Sequence, residues 1–102
     1  ATGYGGDKAI FGYGYTDAAT DLSMTNLVSN TGVVSSDVTG VGTARRGIAA
    51  TEYGGDKAIF GYGTNLASIT NLVGSTGIVA SDNAVSGTAR RMLAAAGFSY
   101  SA

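Results

Sequence analysis

Two identical pairs of arginines are the residues of this chain with the clearest capacity for chemistry. Arg45-Arg46 and Arg90-Arg91 both follow the letters GTA, and the pairs are 45 residues apart. A guanidinium group carries five N–H donors in a planar fork that matches carboxylates and phosphates. The pairs therefore predict an anion or carboxylate site. Pairing of each arginine with a local aspartate or a turn carbonyl is the structural alternative.

Tyr15 is a second candidate binding residue. It begins the stretch YTDAATDLSM (15–24), which is four residues longer than its counterpart in the second half of the chain and reads as a lengthened loop. An exposed aromatic ring with Asp17 and Asp21 nearby is suited to stacking on a sugar. The other aromatic residues lie mostly at matching positions of repeated segments, which predicts that they form the core.

The sequence excludes several kinds of catalytic and metal site. The chain has no His and no Cys, so it lacks an imidazole base, a thiolate nucleophile, zinc-binding thiolates and disulfides. Its aspartates lack the spacing of a calcium loop, and Asp7 and Asp56 are explained by the GGDK turns in which they lie. We therefore predict no enzymatic activity, no metal and no cofactor.

Charge and hydropathy argue against nucleic acid and membrane as partners. The net charge is −1, whereas nucleic-acid binding needs a basic face. No segment approaches the roughly 20 apolar residues of a membrane helix, and the opening ATGYGGDK does not resemble a signal peptide. A chain without Cys suits reducing and oxidising compartments equally, so no location is predicted.

The segments that must position these residues occur twice in the sequence. Residues 1–14 match 50–63 at 13 of 14 positions, and TNLVSNTGVVSSD (25–37) matches 70–82 at nine of thirteen. A third, partial copy begins at RRMLAAAGF (90–98). Such internal repetition is typical of solenoids and propellers.

Each repeat reads as four short antiparallel strands. In the complete copy the predicted strands are 47–53, 57–63, 67–75 and 78–82. Gly pairs such as Gly54-Gly55 supply the turns, and KAIFG is apolar on both faces, so both faces should be covered. We therefore predict an all-β chain of two β-propeller blades. The predicted boundaries are 1–44 for the first blade, 45–89 for the second, and 90–102 for a strand that closes another blade.

ARRGIAATEYGGDKAIFGYG (44–63) resembles a kelch repeat. The features that carry the resemblance are the arginines, the small-residue strand, Tyr53, the Gly pair and the apolar strand ending in Gly61. The resemblance covers nearly the whole chain. It implies a four-stranded β-propeller blade and a usual total of six blades.

Two blades are too few to close a propeller, which takes about four to eight. We therefore expect a closed, head-to-tail ring of identical chains, with a trimer favoured. Residues 90–98 of one chain would complete the blade begun by 8–38 of the next. A multivalent carbohydrate-binding protein is the alternative function, and peptide binding on the top of the ring also stays open. The near-identical copies are typical of a designed or reconstructed protein as well.

Overall fold

A computed structural model describes residues 1–64, 68–84 and 87–97. These residues contain strands and no helix, which confirms the all-β prediction. Seven strands lie within them: β1 (Thr2–Tyr4), β2 (Lys8–Gly12), β3 (Thr25–Val28), β4 (Ala49–Tyr53), β5 (Lys57–Gly61), β6 (Ile69–Val73) and β7 (Asn83–Ala84).

The strands form two antiparallel sheets, each with its strands in chain order. The first sheet is β1-β2-β3 and the second is β4-β5-β6-β7. The two copies share one register. Thr2 faces Ile10 as Thr51 faces Ile59, and Gly12 faces Thr25 as Gly61 faces Thr70. The duplicated phrases therefore fold as duplicated sheets.

Glycine pairs make the tight turn in each copy. Gly5 and Gly6 have φ values of 63° and 85°, and Gly54 and Gly55 have 64° and 85°. Such left-handed backbone favours glycine because a Cβ atom would crowd the following carbonyl. The turn reverses the chain so that KAIFG pairs with the preceding strand.

The hydrophobic core lies between the two sheets. Its buried residues come from both copies: Tyr4, Ile10, Tyr13, Ala58, Phe60, Val73 and Val79. A single sheet of three or four strands cannot bury its own apolar face. The two copies must therefore pack against each other to form a hydrophobic core. We call the contact between the two sheets the interior joint.

The first sheet differs from the prediction at its edge. We expected a C-terminal segment to pair with β2, but Thr2–Tyr4 of the same chain occupy that position. They do so because ATGY repeats the letters of the second copy's edge strand almost unchanged. Residues 90–97 contain no assigned strand and run along the same chain's second sheet, where the Met92 N–H donates to the Gly47 carbonyl.

The fourth strand of each copy also differs from the prediction. In the second copy it begins later in the chain, and in the first copy it is reduced to isolated bridges. The segment 78–82 makes a single bridge, Val79 to Val73, and regular pairing resumes only at β7. In the first copy Val34 and Val38 make isolated bridges to β3 in place of a strand. Of the predicted segments, residues 67 and 98–102 lie outside the described part of the chain.

Candidate functional site

The interior joint is built on an edge-to-face aromatic pair. The ring of Tyr13, just after β2, lies 5.1 Å from the ring of Phe60 in β5, at an interplanar angle of 68°. Gly77 of the second copy approaches the first so closely that a Cβ there would lie 2.9 Å from a methyl of Leu27 and 3.0 Å from the Tyr4 hydroxyl. The two sheets are therefore in direct van der Waals contact.

Arg45 is the polar centre of this joint. It is 0% exposed. Its guanidinium donates to the Tyr62 carbonyl (2.6 Å), to Oδ1 of Asn71 (2.6 Å) and to the Thr43 carbonyl (2.9 Å). It also lies 4.7 Å from the centre of the Tyr13 ring. A buried cation is tolerated only when its donors are satisfied, and here three of them are.

Asp82 accepts hydrogen bonds at the rim of the same joint. Thr43 donates to it twice, from its N–H to Oδ1 (3.1 Å) and from its hydroxyl to Oδ2 (2.6 Å). Asn71 donates to Oδ1 at 3.0 Å. These hydrogen bonds, first that of Thr43 and then that of Asn71, hold the pKa of the Asp82 carboxyl below its usual value.

The first copy carries the residues of the second copy's joint surface, but on a side that the second sheet does not cover. We call this surface the acceptor face; it comprises Phe11, Asn26, Val34 and Asp37, the counterparts of Phe60, Asn71, Val79 and Asp82. Phe60 is 0% exposed and Phe11 54%, while Val79 is 9% exposed and Val34 54%. The difference arises because only the second copy has a neighbour on this side.

The second copy carries the reciprocal surface. We call it the donor face; it comprises Tyr53, Tyr62, Leu72, Thr88 and Arg90, the counterparts of Tyr4, Tyr13, Leu27, Thr43 and Arg45. Tyr4 is 2% exposed in the joint and Tyr53 is 37% exposed. Arg90 is exposed as well, although Arg45 is buried. Each end of the two-sheet stack therefore presents one half of the interior joint.

Three of the five predicted binding residues meet in a cleft. Tyr15, Arg46 and Arg91 line it with Gly14, Gly47, Thr64 and Met92, and its volume is about 510 Å³. The guanidinium of Arg46 lies 4.3 Å from the centre of the Tyr15 ring, and its Nε is 3.7 Å from Oδ1 of Asp21. Tyr15 is 57% exposed. The cleft can offer a ligand one aromatic ring and two cations.

Arg45 and Arg90 lie apart from this cleft, at equivalent positions of the two copies. Arg45 is enclosed by the interior joint, and Arg90 stacks on Tyr62 at 4.1 Å. The first arginine of each pair therefore belongs to a repeat-to-repeat surface and the second to the cleft. The sequence alone predicts one site for all four.

Sequence reasoning missed the polar groups that receive Arg45. Asn71 is 0% exposed and carries the central hydrogen bonds, but an Asn within a strand gave no signal of its own. One signal was present: Asn and Asp recur together, as Asn26 with Asp37 and as Asn71 with Asp82, 11 residues apart in each copy. A polar pair retained in both copies of an apolar strand pair indicates a shared structural role.

Residues 1–64, 68–84 and 87–97 contain neither a candidate metal site nor a helix that could cross a membrane. No group of three or more carboxylates there could hold a metal ion. Within that same part of the chain, no helix is long and apolar enough to cross a membrane. The surfaces that carry residues in a repeated, reciprocal pattern are the two faces and the interior joint.

Comparison with protein-family models, curated proteins and solved structures finds no match to this chain. The kelch resemblance therefore stays a prediction. Any function must be argued from the geometry of the two faces and the cleft.

Proposed function

We propose that this chain is a non-catalytic, self-assembling β-repeat protein, in which the donor face of one copy covers the acceptor face of the next. The observation that carries the proposal is the contrast between Phe11, 54% exposed, and Phe60, 0% exposed, in otherwise matching strands. A second copy on the acceptor face would give Phe11 the environment that Phe60 already has.

The energetics favour such a joint. Covering a phenylalanine contributes roughly 1.5–3 kcal/mol, and an edge-to-face aromatic contact adds about 0.5–1.5 kcal/mol. Val34, Tyr53 and Leu72 are exposed apolar side chains of the same two faces and would be covered together with Phe11. Association costs about 4–15 kcal/mol, but a closed ring gains one more joint than the number of associations that build it.

The expected assembly is a ring of three chains. The contact is head to tail, and such contacts close into rings when the rotation between copies allows it. If each sheet is one propeller blade, three chains give six blades, within the range of about four to eight at which propellers close. The strand order β4-β5-β6-β7, antiparallel throughout, is that of a propeller blade.

Native mass spectrometry and sedimentation equilibrium test the proposal. The expected mass is about 30 kDa, three times the 10.1 kDa of one chain, and constant above a threshold concentration. A mass of two or four chains would support the joint and change the blade number. A compact monomer at every concentration would overturn the proposal.

One phenylalanine variant and one valine variant distinguish specific association through the acceptor face from unspecific hydrophobic association. Phe11→Ser should yield monomers, because it removes the central aromatic residue of the acceptor face. Val33→Ser is the matched control: Val33 is 62% exposed and its counterpart Ile78 is 73% exposed, so this position is not part of the interior joint. A Val33→Ser chain that dissociates as readily as Phe11→Ser would argue for unspecific association.

The cleft supports a second candidate, a multivalent carbohydrate-binding protein. The observation in its favour is that Tyr15, Arg46 and Arg91 line one 510 Å³ cleft. One such cleft per chain would give avidity in an oligomer. A glycan array with wild type and Tyr15→Ala tests this candidate. Glycan binding that the variant loses would support a lectin, and a wild type that binds no glycan would exclude the carbohydrate-binding function.

A further inference from the structure

We infer that Arg90 and Thr88 form a polar latch that enters the acceptor face of a second copy, where Arg90 donates to the Tyr13 carbonyl and to Asn26, and Thr88 donates to Asp37. The inference rests on the proposed self-association and names the contacts that set its direction and register. The partner is a second copy of this chain.

The donor half of the latch is already in place. One Arg90 N–H donates to the Thr88 carbonyl at 2.9 Å, as Arg45 donates to Thr43 at 2.9 Å. The Arg90 guanidinium also stacks on Tyr62, as Arg45 stacks on Tyr13. Its carbonyl accepts from Gly63 as that of Arg45 accepts from Gly14. The side chain is exposed but held in the conformation of its buried counterpart.

The acceptor half is also in place. Asn26 donates to the Ser35 carbonyl (3.2 Å) and to Oδ1 of Asp37 (2.8 Å). Asn71 makes the same two bonds, to Ala80 and Asp82, while its Oδ1 receives Arg45. The amide of Asn26 is therefore oriented as that of Asn71 is. Because both halves are pre-formed, little side-chain freedom is lost when they meet.

The latch explains why association would be head to tail. Arginine and threonine donors lie on one face only, and the Asn and Asp acceptors on the other. Two donor faces would bring two Arg90 cations together, and two acceptor faces would bring two Asp37 carboxylates together. Like charges in contact disfavour both arrangements. The chain therefore joins in one direction.

One consequence concerns the strands at the joint. Gly3 lies beside Glu52, and Glu52 lies beside Gly97, so residues 1–4 and 95–97 fall at equivalent positions of successive copies. A copy seated on the donor face brings its own β1 to the place that the segment 95–97 takes. One of the two segments must leave when the latch closes.

Matched arginine variants test the latch by sedimentation equilibrium over a dilution series. Arg90→Met should raise the dissociation constant by about 30-fold or more, as for a central interface arginine. Arg91→Met removes the same charge from the neighbouring residue, which lines the cleft, and should leave association unchanged. Both variants should keep the wild-type melting midpoint as monomers, because both side chains are exposed.

The outcomes separate the latch from the proposed function. If Arg90→Met assembles like wild type while Phe11→Ser does not, the latch is wrong and self-association stands. If Arg91→Met weakens association as much as Arg90→Met, net charge rather than the latch is responsible, and the inference fails. If the wild type is monomeric throughout, the proposed function itself fails.

A complementation experiment tests direction. Arg90→Met damages only the donor face and Asn26→Leu only the acceptor face, so each variant alone should be monomeric. Mixed in equal amounts they should form a one-to-one dimer of about 20 kDa, because one intact joint remains possible. A mixture that stays monomeric would overturn the head-to-tail latch.

Discussion

The same residue has different roles in the two copies, and its neighbours decide which. Phe60 and Phe11 occupy matching places in KAIFG strands, but only Phe60 packs against the Tyr13 ring. Arg45 and Arg90 show the same contrast, one enclosed and one exposed. The chain therefore carries its own internal controls, since each position can be changed once inside the joint and once outside it.

Phenylalanine truncation should give unequal losses in stability. We expect Phe60→Ala to lower the free energy of unfolding by about 3–5 kcal/mol, because it opens a cavity in the core. Phe11→Ala should change the stability of the dissociated monomer by about 0.5 kcal/mol or less, since its side chain is largely exposed. Urea unfolding at high dilution measures both, and equal losses would contradict a core placed between the sheets.

The Asp82 carboxylate should make the interior joint sensitive to acid. Its pKa is lowered in the folded chain, so its contribution to stability is present above the unfolded pKa of about 3.9 and is lost as the pH falls through the folded pKa. Asp7, whose pKa the hydrogen bond from Lys8 lowers, contributes in the same direction.

Urea unfolding of wild type and Asp82→Asn between about pH 6 and pH 2 isolates this contribution. The variant cannot titrate at position 82, whereas Asp7 titrates in both chains. The wild type should therefore lose more stability than the variant on acidification. Parallel pH profiles would show that the Thr43 and Asn71 hydrogen bonds to Asp82 do not stabilise the joint.

At the scale of elements, two segments of similar sequence can compete for the edge position of the first sheet, next to β2. β1 has three residues where β4 has five, and residues 95–98 read AAGF where residues 1–4 read ATGY. Strand addition at a sheet edge supplies backbone hydrogen bonds to whichever segment docks. The edge of β2 can therefore be completed from within the chain or from another copy.

Deleting residues 1–4 should make folding depend on association. The deletion removes buried Tyr4 and the partner of β2, so the monomer loses stability, and residues beyond 94 of a second copy can restore the strand. The melting midpoint should rise with protein concentration, measured by circular dichroism. The same deletion combined with Arg90→Met should show no such rise. A midpoint independent of concentration in the first variant would contradict strand exchange.

At the scale of the whole molecule, the two-sheet stack has two reciprocal ends. The acceptor face and the donor face repeat the residues of the two halves of the interior joint, so the contact proposed between chains has the same residues as the contact that holds one chain together. A head-to-tail contact of this kind yields either rings or filaments. The twist between the two sheets determines which one forms.

Removing residues 90–102 should abolish assembly. The truncation takes away Arg90 and the segment that follows it, while both described sheets remain. We expect a native mass of one truncated chain in place of a multiple. Arg91→Met, which keeps the segment, should assemble normally. A truncated chain that still forms oligomers would exclude residues 90–102 from the joint.

The sequence by itself determined the local structure of this protein. The duplicated letters predicted duplicated sheets, the Gly pairs predicted the turns, and apolarity on both faces of KAIFG predicted strands covered on both sides. The predictions of duplicated sheets and of turns are confirmed, because turns and hairpin pairing depend on neighbours close in the chain. The prediction for KAIFG holds in β5, where Phe60 is 0% exposed, but not in β2, where Phe11 is 54% exposed. Within the single chain Thr2–Tyr4 occupy the edge of the first sheet, where we expected a C-terminal segment. The sequence does not distinguish the two segments, because ATGY and AAGF are similarly suited to that edge.

Only the tertiary structure decided which of two identical residues is buried. Arg45 and Arg90 both lie in GTARR, yet one guanidinium donates to Asn71 and the Tyr62 carbonyl, and the other is exposed. That distinction depends on which sheet stacks on which, a contact between residues far apart in the chain. The physical reason is that burial depends on the packed neighbour, and two matching stretches of sequence do not by themselves indicate which of them has one.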